Sequence, residues 1–257
     1  MKRQLKKWIL GLAVSGLLFI LLFVTIILNP VLLYASRTTY NGFTIYHNKT
    51  INPQFPDALD KAKALLKKSE FYKEDLGLTI CLNDGSSYPK LVKMILGPAF
   101  AWAIDNKVVL QGEMNCAENY VELNGYKWNL IELLVHEMTH CLQYDNLGLW
   151  KSNPVANLPK WMWEGYAEYI ARQGPLHDDL RKSLGSLEND DSDSWEITFE
   201  DHTIAPRELY HYQLMVRYCL EVKQFTYAQL LSNPSDDLVI EKEMRNWFTD
   251  QKQTHSQ

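Results

Sequence analysis

The sequence predicts an α+β domain that follows one N-terminal transmembrane helix. Two observations predict this class. The chain begins with an uncharged apolar run that is long enough to cross a bilayer. Behind it, short strands and helices alternate through the first half of the remaining chain, and helical periodicity dominates the second half. About 220 residues lie outside the apolar run, which is enough for a single domain with a substantial core.

Residues 1–34 are interpreted as a cytoplasmic basic flank and a transmembrane signal anchor. The basic residues of the flank are Lys2, Arg3, Lys6 and Lys7. No charged residue occurs between Trp8 and Ala35, and about 20 apolar residues span a bilayer. Because basic flanks stay on the cytoplasmic side, we predict a single-pass protein of the cell membrane whose domain is extracytoplasmic. The alternative is a secreted protein with an unusually long signal peptide.

The chain outside this segment is acidic. The whole sequence has 26 Lys and Arg against 31 Asp and Glu, which is a net charge of −5. Removing the four basic residues of the flank leaves 22 against 31, which is a net charge of −9. This balance argues against nucleic acid as a partner and against attraction of the domain to anionic lipid headgroups.

The elements expected in the domain, residues 35–250, follow from apolar periodicity and turn residues. Strands are expected at 43–46, at 78–82, within 97–103 and at 107–110. Helices are expected at 58–69, 88–95, 130–147, 209–222, 227–231 and 237–247, and a further helix is expected around 161–169. Residues 186–200 are acidic and rich in serine, so we expect an exposed loop there. The polar tail, residues 251–257, is expected to be disordered.

The most informative feature is the H-E-x-x-H pattern formed by residues 136–140. Histidines at i and i+4 lie on one helix face, so His136 and His140 can direct ring nitrogens at the same metal ion. Glu137 lies about 100° further around the helix and reaches a water on the metal rather than the metal itself. The pattern therefore predicts two metal ligands and a general base. The alternative interpretation is a helix with scattered polar residues.

The sequence around the pattern indicates a buried helix. Apolar residues cover much more than one stripe between Leu130 and Leu142. Asn129 is expected to cap the N-terminus, with Glu132 three residues later as in a capping box, and Gly148 is expected to end the helix. Polar groups inside such a helix need partners, and a metal with its water would satisfy those of the motif.

A second segment, residues 161–169, carries two glutamates among aromatic residues. Glu164 and Glu168 are one helical turn apart and lie on one face. Pro159 suits the first turn of this helix, and Asn157 is a candidate N-cap. A helix this aromatic is expected to be buried, so its carboxylates also need partners. A salt-bridged glutamate at a helix start is the alternative interpretation of Glu164.

H-E-x-x-H followed by W-x-x-E-G-x-A-x-Y resembles the gluzincin clan of zinc metallopeptidases, in the peptidase MA-like superfamily. The resemblance implies a zincin-like domain with a small mixed sheet, an active-site helix and a C-terminal helical part. It implies one Zn²⁺ held by His136, His140 and Glu164, with Glu168 orienting a ligand histidine. It also implies that Glu137 is the catalytic base in the hydrolysis of peptide bonds, in peptide or protein substrates of a membrane-anchored bacterial-type enzyme.

The resemblance extends to two further segments. A tyrosine of helix 209–222 is implied to approach the oxyanion, and Tyr212 and Tyr210 are the candidate catalytic residues. The strand with Phe100 and Trp102 is implied to form the sheet edge over the cleft, where substrate backbone would pair with it. For all four residues, a role as core aromatics is the alternative.

Other zincin arrangements fit less well. The metzincin pattern needs a glycine and a third histidine after the motif, and Gln143 and Asn146 occupy those positions. Asp145 lies only five residues past His140 on the same helix, so it is poorly placed as a third ligand. A structural zinc site would need four protein ligands. The alternative function is a catalytically inactive metallopeptidase-fold protein that acts as a binding or scaffold module.

The four cysteines are widely spaced and form no metal-binding knuckle. An extracytoplasmic setting permits disulfides, and three pairings are open among the four. Free buried thiols are the simpler interpretation of Cys141 and Cys219, because both lie on apolar helices.

Overall fold

The computed structural model describes residues 2–75, 77–174, 177, 179–189 and 193–254, and it confirms a mixed α+β chain with an apolar N-terminal helix. The helices are α1 (Lys2–Leu28), α2 (Phe55–Leu66), α3 (Tyr88–Leu96), α4 (Leu130–Leu147), α5 (Lys160–Ala171), α6 (Leu180–Glu188), α7 (Arg207–Arg217), α8 (Tyr227–Ser232) and α9 (Asp237–Thr254). The strands are β1 (Ser36–Tyr40), β2 (Phe43–His47), β3 (Thr79–Cys81), β4 (Ala101–Ile104), β5 (Lys107–Leu110), β6 (Glu113–Asn115), β7 (Tyr120–Leu123), β8 (Tyr126–Asn129), β9 (Glu196–Thr198) and β10 (Ile204–Pro206).

The largest sheet has five strands in the order β1-β2-β3-β5-β4. The β2–β3 and β3–β5 pairs are parallel, and the two outer pairs are antiparallel. Side chains alternate between the two faces, as a strand period of two requires. Ile80 and Val108 belong to the main core with α2 and α4, whereas Cys81 and Val109 pack with Tyr88 of α3 on the other face. The edge strand β4 therefore lies beside α4.

Two smaller sheets complete the domain. Strands β6, β7 and β8 form an antiparallel meander that leads directly into α4. Strands β9 and β10 form a hairpin that leads into α7. The expectation that the chain is helical after Leu110 was wrong at these five strands, because each has only three or four residues, which is too short for a strand period to be recognised in the sequence. The Asn124-Gly125 turn between β7 and β8, with φ of 54° and 86°, was the available hairpin signal.

Several boundaries also differ from those expected. The predicted loop 186–200 contains the end of α6 and all of β9. The predicted disordered tail begins as helix, since α9 continues to Thr254, and residues 255–257 lie outside the described part of the chain. A π-helical turn, Tyr218–Val222, extends α7, so the helix expected at 209–222 is present in two geometries.

The N-terminal helix includes the segment Lys6–Leu28, whose mean hydropathy of 2.8 and 23 residues are sufficient to cross a bilayer. In the most apolar stretch of 18 residues within this segment, no residue is buried against the domain. A signal sequence shares this length and composition. The last turn of α1 contacts the domain, because the Tyr88 hydroxyl donates to the carbonyl of Ile27. The short turn after α1 is also attached, since the Ser86 hydroxyl donates to the carbonyl of Leu33 over 2.6 Å.

Candidate metal centre

The motif helix α4 is capped and buried as its sequence indicates. The Asn129 side chain accepts hydrogen bonds from the backbone N–H groups of Ile131 and Glu132, and Gly148 follows the last turn with φ of 75°. Glu132 does not complete a capping box in the described contacts, because its carboxylate pairs with Arg172 over 2.7 Å. Residues 133–143 are all buried, since β4, β5, α2 and α5 surround them. The helix thus holds its polar side chains in fixed positions.

Three side chains converge at the N-terminal end of α5. The Nε2 atoms of His136 and His140 lie 3.2 Å apart. Glu164 Oε2 lies 3.4 Å from the first nitrogen and 3.3 Å from the second. Helix α5 packs along α4, which brings Glu164 over the histidine face from 24 residues along the chain. His136, His140 and Glu164 are therefore a candidate metal-binding triad.

The donor set and its dimensions fit a small tetrahedral cation. Ligands at about 2.0–2.1 Å from a tetrahedral ion lie about 3.3–3.4 Å from one another, which matches the three measured separations. Two imidazole nitrogens and one carboxylate oxygen are donors that zinc accepts, and three protein ligands leave one position open. The chemistry of the residues present therefore fits a zinc ion with an exchangeable fourth ligand.

The partners of the two imidazoles fix which nitrogen carries the proton. Nδ1 of His136 lies 2.9 Å from Glu168 Oε2, a carboxylate oxygen that only accepts, so Nδ1 donates. Nδ1 of His140 lies 2.7 Å from Gln143 Oε1, which also accepts. When the two rings are neutral, both Nε2 atoms therefore present a lone pair to Glu164 Oε2. Three hydrogen-bond acceptors that lie within 3.4 Å of one another cannot satisfy each other. A positive charge between them would provide the missing partner.

Gln143, which lies behind His140, is itself held by hydrogen bonds. Its Nε2 donates to the backbone carbonyl of Trp163 over 3.1 Å and to the Tyr227 hydroxyl over 2.8 Å. That hydroxyl donates in turn to the carbonyl of Met162 over 3.2 Å. The Trp163 ring stacks on His140, with ring centroids 5.4 Å apart and planes inclined by 15°. The stacked Trp163 ring thus fixes the plane of the His140 imidazole, and Gln143 fixes the position of its Nδ1.

Behind His136, a buried ion network holds Glu168. Glu168 is fully buried, and Arg172 Nε donates to its Oε1 over 2.6 Å. The same guanidinium pairs with Glu132 and contacts His177 Nε2 at 3.2 Å. Because a buried guanidinium has two carboxylates around it, the charge of Glu168 is balanced before any metal binds.

The pKa values follow from these contacts. Burial by itself lowers the pKa of His136, but hydrogen bonds with Glu164 and Glu168 outweigh it and raise this pKa to about 10. Burial raises the pKa of Glu168, yet Arg172 and His136 outweigh that effect and lower it to about 2. Burial also opposes ionisation of Glu164, but the two histidines hold its pKa well below the usual range. The cluster therefore binds a proton strongly when no metal occupies it.

Glu137 stands apart from the ligands. Its carboxylate has no protein cation as a direct partner among the described residues, and burial raises its pKa, with His136 and His140 partly opposing the shift. A hydrogen bond with the Ala103 backbone on β4 also opposes the shift. A carboxylate with a raised pKa beside a metal site has the properties of a general base.

An open cleft of about 660 Å³ reaches the triad. Residues from β4, β8, α4, α5 and the start of α7 line it, and Glu137, His140 and Glu164 lie on its floor. Aromatic side chains make up much of its wall, namely Phe100, Trp102, Tyr126, Trp128, Tyr144, Trp163 and Trp195. Lys160 and Glu208 form an ion pair at the same cleft. Phe100, just before β4, and Trp102 of β4 line the cleft and also pack against the two core clusters, so the cleft role and the core role are both present.

The two tyrosines proposed for the oxyanion do not line this cleft in the described residues. Tyr210 is buried and lines a different cavity, together with Phe199, His177 and Glu132. Tyr212 donates its hydroxyl to Glu208 over 2.8 Å. Because α7 turns the Tyr210 side chain into the core, the described residues give no support to its predicted place at the oxyanion. Tyr212 lies nearer the site, since Glu164 contributes, after burial, Glu208 and Asp237, to the raised pKa of its hydroxyl.

The structure also decides the smaller expectations about the third ligand, the helix cap and the cysteines. Asp145 pairs with Lys73 over 2.6 Å at the surface, so it is not a ligand of the triad. Asn157 makes no cap for α5, whose first residue follows Pro159 without a side-chain cap. The four cysteines are free thiols, and three of them are buried. Gln143, Arg172 and Tyr227 were missed as supports of the site. Gln143 and Arg172 are signalled only by their spacing of three and four residues from His140 and Glu168.

The chain was compared with protein-family models, with curated proteins and with solved structures, and none of the three comparisons found a match. The candidate site is therefore described by its own residues, as a buried two-histidine, one-glutamate cluster at the floor of an aromatic cleft.

Proposed function

We propose that this protein is a zinc-dependent metallopeptidase of gluzincin type with a zincin-like domain, which hydrolyses peptide bonds in peptide or protein substrates. One observation carries the proposal. Two Nε2 lone pairs and Glu164 Oε2 converge within 3.4 Å, while Glu137 stays outside this triad next to an open cleft. A structural metal would be closed by a fourth protein ligand, and the triad identified among the described residues has three members.

The residues of the chain divide the chemistry between them. His136, His140 and Glu164 would hold the ion. A zinc ion there supplies Lewis acidity and a water whose pKa is lowered to about 7. Glu137 accepts a proton from the attacking water and passes it to the leaving amine, a role that suits its raised pKa. Glu168 and Gln143 keep both histidines in the tautomer that ligation needs.

Tyr144 is the best placed donor for the developing oxyanion. It lies on α4 one turn after His140, lines the cleft, and packs edge-on against Trp163 with centroids 5.5 Å apart. Burial, and then the nearby Cys141, Glu137 and Glu164, raise its pKa to about 12. Its hydroxyl therefore stays protonated at neutral pH and can donate to a carbonyl oxygen that gains negative charge.

The cleft also favours a substrate class. An open groove walled by aromatic rings beside a sheet edge accommodates an extended polypeptide with apolar side chains. Membrane anchoring through α1, with a cytoplasmic N-terminus and an extracytoplasmic domain, is part of the proposal, because the apolar segment follows a basic flank.

Metal content and hydrolysis test the proposal together. The full chain, purified in detergent, is expected to carry about one zinc ion and to cleave unfolded casein in a chelator-sensitive manner. Glu137→Gln keeps all three ligands, so it should retain zinc and lose hydrolysis by about 100-fold or more. Full hydrolysis by this variant would overturn the assignment of the base. Stoichiometric zinc without hydrolysis of any unfolded substrate would instead favour a binding or scaffold module.

A further inference from the structure

Two short apolar segments are exposed close to the point where α1 ends. Val31 and Leu32 belong to the turn that follows α1. Met94, Ile95 and Leu96 form the last turn of α3, and Met94 is 74% exposed. Adjacent exposed apolar side chains of this size are unusual on a soluble surface and indicate a contact with another apolar phase.

Helix α3 is tied to the end of the apolar helix. Its first residue, Tyr88, hydrogen bonds to the carbonyl of Ile27, and Ser86 just before it bonds to Leu33. Tyr34 donates to the Leu82 carbonyl over 2.9 Å, which fastens the segment after α1 to the end of β3 as well. Nine residues of helix are about 13 Å long, so the exposed end of α3 lies about 13 Å from Tyr88, whose hydroxyl contacts α1 one residue before its end.

The composition of α3 is that of an interfacial helix. Tyr88 and Val92 are buried against Cys81 and Val109 of the sheet. The exposed residues are Lys90 and Lys93 beside the apolar group Met94–Leu96. Lysines with neighbouring apolar side chains suit the boundary between headgroups and acyl chains. The domain as a whole is acidic, so its net charge does not attract it to anionic lipid headgroups. Lys90 and Lys93 provide this attraction locally.

We propose that α3 lies in the headgroup region of the membrane that α1 spans, with Met94, Ile95 and Leu96 inserted toward the acyl chains. The occupant of this surface is thus the lipid bilayer itself. The proposal rests on the membrane anchoring proposed above and is independent of peptidase activity. Because residues 98–103 follow α3 directly and line the cleft, one rim of the cleft is held next to the bilayer surface.

Spin labels on the full chain test this contact. In a Cys116→Ser background, where the other three native thiols are buried, single cysteines are placed at Met94, Leu238 or Leu18. Leu238 is the matched control, because it is 71% exposed and lies on α9. Leu18 reports on the anchor. Each labelled chain is reconstituted in vesicles of phosphatidylcholine and phosphatidylglycerol, and its collisions with oxygen and with a water-soluble nickel chelate are measured.

The label at Met94 should collide several-fold more with oxygen relative to the nickel chelate than the label at Leu238. The label at Ile95→Cys should behave like that at Met94. Equal ratios at Met94 and Leu238, with the Leu18 label in lipid, would overturn the α3 contact and leave the anchor intact. Exposure of the Leu18 label to the nickel chelate would instead overturn the anchor, and the α3 contact with it.

Discussion

The side-chain amide of Gln143 donates to the backbone carbonyl of Trp163 over 3.1 Å, and this contact decides the chemistry of His140. A carbonyl only accepts, so the NH₂ group must face it and the amide oxygen must face Nδ1 of His140. That nitrogen then carries the proton, and Nε2 is free to bind a metal. One backbone oxygen on α5 thus selects the ligand form of a histidine on α4.

Gln143→Leu should weaken zinc binding by about 10- to 100-fold, because it removes the acceptor that orients His140. Competition with a fluorescent zinc chelator measures the affinity. Asn146→Ala is the matched control on the same helix, since Asn146 bonds to the carbonyls of Phe71 and Leu142 away from the site. An unchanged affinity in the Gln143 variant would mean that the amide does not orient the ligand.

Arg172→Leu should lower the free energy of unfolding by about 3–5 kcal/mol, because it leaves the buried carboxylate of Glu168 and the partly buried carboxylate of Glu132 without their cation. Denaturant unfolding of the metal-free chain in detergent measures the change. Arg245→Ala serves as a control, because its partners Glu188 and Glu241 are at the surface and the expected loss is at most about 1 kcal/mol. Similar losses for both would contradict the burial argument.

Tyr144→Phe should reduce kcat on an unfolded protein substrate by about 100-fold or more while leaving zinc content unchanged, because it removes only a hydroxyl that stabilises the oxyanion. Tyr212→Phe is the control. Its hydroxyl is engaged with Glu208, and we expect a small effect on kcat. A large loss in the Tyr212 variant and none in the Tyr144 variant would reverse the two assignments.

Gly165→Ala should destabilise the domain by about 1–3 kcal/mol. A Cβ at this position would lie 2.6 Å from the carbonyl oxygen of Tyr212, because α5 and α7 approach closely there. Gly185→Ala in α6 is the control, since its Cβ would meet Phe248 at an ordinary 3.7 Å and should stabilise the helix by about 0.5–1 kcal/mol. Thermal unfolding compares the two, and equal melting temperatures would exclude a clash at Gly165.

Much of the site was predictable because it depends on short-range helical geometry. The spacing of His136 and His140 places both rings on one face of any α-helix, whatever surrounds it. Asn129 and Gly148 mark the ends of α4 by local backbone chemistry, and both assignments are confirmed. The small sheets β6–β8 and β9–β10 were not predicted, because their stability comes from pairing between strands rather than from a period within each strand.

By itself, the sequence determined the two histidines of the triad, the burial of their helix and the apolar segment ahead of the domain, since each follows from composition and spacing along one element. The third member, Glu164, was implied only by the resemblance of its segment to a known motif. Only the tertiary structure decided which side chains support the residues of the triad. Tyr227 reaches Gln143 from 84 residues away, and Tyr210 turns from the cleft into the core. Such choices depend on how α5, α7 and α8 pack on α4, and packing is a property of all the elements together.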